Sequence, residues 1–409
     1  MSFLAILASL NPSFAGDGFT VIPSTATVLD RDSLDFFHFF GSSRLRYEFG
    51  DLEGLDPSTL GSLRTRFGVE TASVGGFKFL AEGEHMWALT DTDHYRAFPG
   101  FAPANRTVIA DPDNLQLNRL QLSYDLSPLQ TTITAGRQSI VRADERFIGS
   151  VGWRQNDQTF DAVSLENQSF DDLTFSYAYI DQVNRIFGTN APISSLEAWD
   201  SDSHLLDLAY SGFENDSVRA FAYLLDFDNS PANSVDTYGL ELQGTRALGG
   251  SSKLKYLLTG ALQEDGGANP VDYREYYLRG EIGLSHGIGN IGIGTEVMTS
   301  DGAGGRFLFP LGTNHRFNGY ADAFLTTPVD GLVDSYAWVG TEAFGWNHTA
   351  TFHCYNTENN RTELGWEVDY VASRKLCDSA DLIFKGAYLD GKGPQEDLTR
   401  ASVEVNFTF

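Results

Sequence analysis

From about residue 40 to Phe409, apolar and polar side chains take turns along the chain, and the segments that do so are joined by connections that are short and long in alternation. Period two marks a strand with one dry face and one wet face. The last segment is the clearest: Ala401, Val403, Val405, Phe407 and Phe409 alternate with Ser402, Glu404, Asn406 and Thr408. A terminal Phe closing such a strand also resembles the signal by which outer-membrane barrels are recognised for assembly. Leu45, Tyr47 and Phe49 alternate with Arg44, Arg46 and Glu48, and Leu63, Phe67 and Val69 lie opposite Arg64, Arg66 and Glu70. Leu120, Leu122, Tyr124 and Leu126 oppose Arg119, Gln121, Ser123 and Asp125. Leu173, Phe175, Tyr177 and Tyr179 form an apolar face. Tyr276, Leu278, Ile282 and Leu284 oppose Glu275, Arg279 and Glu281, while Leu364, Trp366, Val368 and Tyr370 oppose Glu367 and Asp369.

Strands of this kind are predicted to begin near residues 40, 59, 76, 115, 131, 158, 172, 203, 216, 235, 252, 272, 289, 331, 344, 363, 380 and 400. That is about eighteen, each near the ~9–11 residues that cross a bilayer at barrel tilt. Short turns fall at 72–75, 127–130, 168–171, 212–215, 248–251, 285–287 and 341–343. Between them lie longer loops, notably 91–114, 139–157, 181–203 and 300–330. A soluble sandwich would share the alternation of side chains but has no reason to keep the connections in phase; an outer-membrane barrel does. No run approaches the roughly 20 apolar residues of a membrane helix, so a closed barrel is the remaining way to cross. The expected fold is therefore all-β: a transmembrane antiparallel β-barrel with short periplasmic turns and long extracellular loops partly folded into the pore. It forms one domain over 40–409.

Ahead of it, Phe3 to Leu10 form a short apolar run and Ser13-Phe14-Ala15 places small residues where a signal peptidase reads. Residues 1–15 read as a secretory signal and 16–39 as a periplasmic segment. The basic residues that usually precede such a run are missing, since Met1-Ser2 carries none. The alternative is a disordered or plug-like N-terminus.

The net charge of -27 excludes a nucleic-acid role, because a phosphate backbone demands a basic surface. Such acid suits outer loops facing water and divalent cations. Asp91/Asp93 and Asp111/Asp113 read as solvated turns, since no full calcium-loop pattern surrounds them. Cys354 and Cys377 lack metal-site spacing. Cys354 is expected near the outer end of its strand and Cys377 in the short turn after the next, too far apart to bond. Tyr47, Trp87, Tyr124, Tyr179, Tyr210, Trp338 and Trp366 are candidates for interfacial girdles. The implied surroundings are outer-membrane lipid and lipopolysaccharide, with small solutes or oligosaccharides as cargo and no cofactor. An oligomer is compatible with the pattern without being required by it.

Two loop segments carry more. The first reads Gly136-Arg137-Gln138, then Arg142 to Gly149 (RADERFIG), then Gly152-Trp153-Arg154-Gln155-Asn156, ending Thr159-Phe160-Asp161-Ala162. The second runs from Phe309 to Asp322 (FPLGTNHRFNGYAD), then Thr326-Thr327-Pro328 and Gly331-Leu332-Val333-Asp334. Together these resemble the alginate-export family of outer-membrane proteins over about a fifth of the chain, and the strand pattern extends the likeness. The resemblance implies an eighteen-stranded barrel whose long loops fold into or over a pore. In the alginate-exporting members that pore is arginine-lined and passes an anionic uronate polymer; other relatives are porins for other solutes.

Guanidinium groups present a planar fork that pairs with carboxylates. Arg44, Arg46, Arg64, Arg66 and Arg119 on early strands, with Arg137, Arg142, Arg146 and Arg154, make a candidate basic ladder along the path. Asp161, Arg279, His315 and Arg316 complete the candidate pore-lining set. The loop arginines can equally brace Asp144, Glu145, Asp157 and Asp161, pairing within the loop and holding it inside the barrel. His315 can contact solute or anchor its loop; Trp153 can stack on a sugar or sit in a loop core. The same register turns Glu48, Glu70, Glu82, Glu84, Glu241, Glu281, Glu296, Glu367, Asp369 and Glu404 inward. A lumen of mixed sign orients dipolar solutes without admitting one charge only. That fits passive, weakly selective passage of small hydrophilic or sugar-like solutes better than dedicated export of an anionic polysaccharide. The one Gly-x-Ser-x-Gly string, Gly283-Leu284-Ser285-His286-Gly287, falls at a short turn between two strands rather than at a strand-to-helix elbow, and no histidine-centred catalytic motif occurs, which disfavours an outer-membrane hydrolase. A structural or adhesive barrel would need a plugged lumen.

Overall fold

The computed structural model describes residues 36–98 and 101–409. The expected signal, 1–15, and most of the expected segment 16–39 lie outside the described residues. The first strands are β1 (Phe37–Leu52), β2 (Ser58–Thr71), β3 (Phe77–Ala88), β4 (Asn114–Leu126), β5 (Thr131–Gln138) and β6 (Thr159–Phe170). Then follow β7 (Leu173–Asn184), β8 (Ala198–Tyr210), β9 (Asp216–Leu225), β10 (Val235–Gly249), β11 (Ser252–Asp265) and β12 (Arg274–His286). The last are β13 (Gly289–Met298), β14 (Leu332–Ala343), β15 (Trp346–Asn356), β16 (Glu363–Cys377), β17 (Ala380–Gly391) and β18 (Leu398–Thr408).

Every strand pairs antiparallel with its neighbours in sequence, and β1 also pairs with β18, from Ser42↔Thr408 to Leu52↔Leu398. The sheet is closed, so no edge is left with unpaired backbone groups. Eight connections are short: 72–76, 127–130, 171–172, 211–215, 250–251, 287–288, 344–345 and 378–379. The long loops 89–113, 139–158, 185–197 and 299–331 all leave from the opposite end. Local turn chemistry explains the short end. Gln130 and Asp172 adopt positive φ there, and Gly287 and Gly345 supply it where a Cβ would be strained.

The two faces sort as the alternation requires. Leu45, Tyr47, Phe67, Leu120, Leu122, Leu278 and Ile282 are exposed on the outside, while Arg44, Arg46, Glu82, Glu281, Glu367 and Glu404 are buried on the inside.

Two side chains take the other face. Leu364, expected outside, is the extra residue of a β-bulge, because Tyr355 pairs with Gly365 and Asn356 with Glu363. Gly365 accepts the φ of +128° that the bulge needs, and Leu364 is buried. Trp338, expected in a girdle, points inward over Gly292, where a Cβ would collide with the indole, and donates to Asn290 at 3.2 Å. Across the next inward row Tyr336 covers Gly294 in the same way. Small residues on β13 thus make room for large ones on β14.

Candidate functional site

The arginine row on β1 and β2 meets loop 139–158, which folds into the barrel. Arg44 donates through Nη1 to the carbonyl oxygens of Gly152, Trp153 and Arg154 at 3.0, 3.0 and 3.1 Å. Its Nε donates to Asn406 at 2.8 Å. Arg46 reaches the Trp153 carbonyl as well, and holds Glu404 at 2.6 Å. Arg66 pairs with Glu84 at 2.6 Å and with Asp157 of the loop. Arg64, between them, donates no hydrogen bond from Nε or Nη1, although both atoms are buried. Arg119 forks onto Glu82 at 3.0 and 2.8 Å, helped by a bulge that turns Asn118 inward beside it. Arg137 forks onto Asp161 at 2.7 and 2.8 Å.

The loop's own charges are paired, but not with one another. The expected internal balance of Arg142, Arg146 and Arg154 against Asp144, Glu145 and Asp157 is replaced by bonds to the barrel wall and to the other loops. Arg142 meets Asp207 on β8 at 3.2 Å, and Arg146 meets Glu296 on β13 at 2.7 Å. Arg154 meets Glu48 on β1 at 3.3 Å and Asp322 at 2.9 Å. Asp144 is held by Arg279 on β12. Burial would raise the Asp144 carboxyl, but the Arg279 and Arg316 guanidinium groups more than offset that and hold it near about 2. Loop 89–113 joins the same contacts. Asp111, expected in a solvated turn, is buried; it accepts from the Gln155 amide at 2.8 Å and faces Arg46 at 3.6 Å.

Loop 299–331 packs against loop 139–158 inside the barrel. The Gly149 amide donates to the Leu311 carbonyl at 2.8 Å and the Thr313 amide to the Glu145 carbonyl at 2.9 Å. Thr313 also donates its hydroxyl to Glu145 at 2.6 Å. Arg146 lies 3.7 Å above the Phe309 ring and 4.8 Å from Phe317, so the cation is screened from water by aromatic faces. His315 is stacked between Trp153 and Tyr320 and donates from Nδ1 to Asp322 at 2.6 Å. Burial pushes its imidazole down to about 4 against the upward pull of Asp322. No hydroxyl or thiol bonds to His315 Nε2 among the described residues, so the Asp–His pair lacks a nucleophile. Arg316 reaches the Asp144 carbonyl at 3.3 Å.

A few strands round from the arginine row, on β14 and β16, the wall is acidic. Glu367 and Asp369 on β16 accept from the Ala321 and Tyr320 amides at 2.7 and 3.2 Å, so carboxylates grip the loop backbone there. His353 bridges Asp334 at 3.0 Å and Asp369 at 3.5 Å. Between plug and wall lie cavities of about 10 and 20 Å³, each room for about one water molecule.

The candidate residues thus fall into one internal assembly, except that Arg119, Arg137 and Asp161 pair on the wall itself. Sequence reasoning missed Arg400, which donates to the Ala321 carbonyl at 2.7 Å and meets Glu48 at 3.4 Å. Its even position on β18, in phase with Ser402 and Glu404, was the available signal. Asp322 and Lys385 also line this site, with Lys385 5.2 Å from the Tyr320 ring.

Solved structures share this architecture. OpdK of Pseudomonas aeruginosa, crystallised with vanillate, superposes with a TM-score of 0.71 at 11% identity, over 91% of this chain and 98% of that one. OccAB2 of Acinetobacter baumannii gives 0.73 at 12% identity, over 93% and 99%. OccK9 (OpdG) of P. aeruginosa gives 0.71 at 14% identity, over 91% and 98%. At such identities the likeness is one of fold. No family model matches the sequence, and no curated protein does.

Proposed function

We propose that the chain is an integral outer-membrane channel for passive passage of small hydrophilic or sugar-like solutes, with a mixed-charge, arginine-bearing constriction. The observation that carries this is a closed barrel with an apolar exterior and a charged interior into which loops 139–158 and 299–331 fold. An exterior of Leu, Ile and Phe is costly in water and at home in lipid. An interior lined by charge is costly unless wetted or paired. The short turns face the periplasm in this reading. OpdK is described as an outer membrane protein, which supports the location by analogy of fold.

Pairing with wall residues fixes the plug in place, so in this reading the path runs along the edges of the plug, and Arg64, which spends neither Nε nor Nη1 on the loops, is the wall arginine proposed to meet the solute. Membership of the alginate-export family remains part of the proposal: the two segments that resemble it are those that build the plug. Export of an anionic polysaccharide fits less well, since Glu48, Glu82, Glu84 and Glu404 are interleaved with the arginines on the same stretch of wall.

The test is single-channel conductance in a planar bilayer, for the full chain and for a variant with 140–157 replaced by a short linker. A conducting wild type and a wider, less selective variant are expected. A folded wild type that never conducts would refute the channel.

A further inference from the structure

Acids outnumber bases 55 to 28 in this chain, so an inward arginine ordinarily finds a carboxylate for its fork, as Arg119 and Arg137 do. Arg185 does not. It follows β7 directly, where loop 185–197 closes on itself through the Arg185 amide and the Glu197 carbonyl at 2.9 Å. Its guanidinium lies 4.0 Å above the Trp199 ring and 5.5 Å from Phe187. Phe187 packs edge-on against Phe98 of loop 89–113, so the position is built by two outer loops and one strand. Nη1 donates weakly to the Ser195 carbonyl at 3.4 Å. Nε is buried and donates to nothing, and no carboxylate forms an ion pair with the group among the described residues. Beside it Trp199 is 3% exposed and its Nε1 is also without an acceptor.

A cation in this state is expensive. Burial alone pushes the guanidinium down to about 10, with no charged neighbour to pull it back, yet it stays protonated at neutral pH. A buried charge is tolerated when something supplies the opposite sign. Here the rings hold the guanidinium plane, Ser195 occupies Nη1, and the Nε–Nη2 edge is left without a partner. That edge is the one a carboxylate or phosphate takes with two parallel hydrogen bonds.

We propose that Arg185, with Trp199 beside it, forms an oxyanion-binding subsite at the long-loop mouth of the barrel, for a carboxylate or phosphate group. It is separate from the plug: none of the plug's ion pairs includes Arg185. A soluble carboxylate and a lipopolysaccharide phosphate offer the same chemistry to it.

The test uses the full chain in detergent micelles, titrated with acetate and with inorganic phosphate while tryptophan fluorescence is read. Chloride at equal ionic strength is the control, and Trp199→Phe assigns the signal. A saturable response is expected. Arg185→Met should weaken it by about tenfold or more, the loss expected for a charge-assisted pair. Arg185→Lys, which keeps the charge but loses the fork, should fall between, and it decides the matter if Arg185→Met does not fold. Reconstitution in phosphatidylcholine vesicles with and without lipopolysaccharide separates the sources. If lipopolysaccharide abolishes the acetate response the occupant is a lipid phosphate; if acetate still binds it is a soluble carboxylate. A response absent from wild type, or equal in the Met and Lys variants and wild type, overturns the subsite. Binding without conductance would instead count against the channel alone.

Discussion

Arg44 and Arg64 stand directly opposite each other across β1 and β2, both 5% exposed, yet one spends its donors on the plug and the other does not. Arg44 binds three successive loop carbonyls; Arg64 leaves Nε and Nη1 unbonded. In the proposed channel, Arg64 is therefore the arginine of this row whose charge is left to act on a passing ion. Arg64→Ala is expected to shift permeability toward cations by about a factor of two, the effect of one charge at roughly 8 Å in a watery path. Reversal potentials under a salt gradient read this out. An unchanged potential would take Arg64 off the path.

Arg66 should behave differently. Replacing it strands Glu84 and Asp157, which it now neutralises. Arg66→Ala is expected to loosen loop 139–158 and to lower thermal stability, with selectivity changing only as a consequence. Calorimetry beside the reversal potential separates the two effects.

Arg146 fixes the plug to β13. Losing one partner of a buried pair costs about 3–5 kcal/mol, and Arg146→Ala leaves Glu296 with Arg279 at 3.6 Å and the Asn318 side-chain amide at 3.5 Å. The closed strand ladder is untouched, so the barrel should survive while the loops detach. The expected signs are larger, noisier conductance and proteolysis within 139–158. A silent substitution would show that the plug is held elsewhere.

Acid should loosen the same assembly at His315. Its folded value near 4 lies below the ordinary 6.5, so the unfolded or detached loop binds the proton more readily. The stabilisation is complete above about pH 6.5 and is lost progressively as pH falls toward 4, by roughly 3 kcal/mol in all. The groups facing the ring are Asp322 on its own loop, Arg154 on the neighbouring loop, and Glu48, Lys385 and Arg400 on the wall. Hydrogen exchange of residues 313–322 should accelerate across that range. His315→Gln should flatten the dependence.

Both thiols are free and exposed, Cys354 near the long-loop end of β15 and Cys377 at the short-turn end of β16. If the short turns are periplasmic, a membrane-impermeant maleimide added to intact cells should leave Cys377 unlabelled. Labelling of Cys377 from outside would invert the orientation.

The strands were legible because period two and turn residues are local signals, readable within a dozen positions. Even the latest match, β8, begins at Ala198 rather than near 203. Leu364 was misread because one inserted residue breaks the alternation at that point, while Val368 and Tyr370 farther along the strand keep the expected face. Trp338 was misread because its inward seat depends on Gly292, a neighbour only in space. The plug shows the same limit more strongly. That loop 139–158 carries balanced charge is plain in the sequence. That Arg154 would answer to Glu48, and Arg146 to Glu296, depends on barrel closure that no local window contains.

The manner in which Arg44 and Arg46 grip the loop has a consequence for how this protein can change. They take hold of main-chain oxygens at residues 152–154, atoms that every amino acid supplies. This part of the grip is therefore blind to side-chain identity, unlike the ion pairs of Arg142, Arg146 and Arg154. The side chain at 152 can change without loosening these bonds, whereas Trp153 is also tied to the second loop by its stack on His315. Retargeting the constriction, by descent or by design, can keep this main-chain clasp while the charged letters of the loop change together with their partners in the wall.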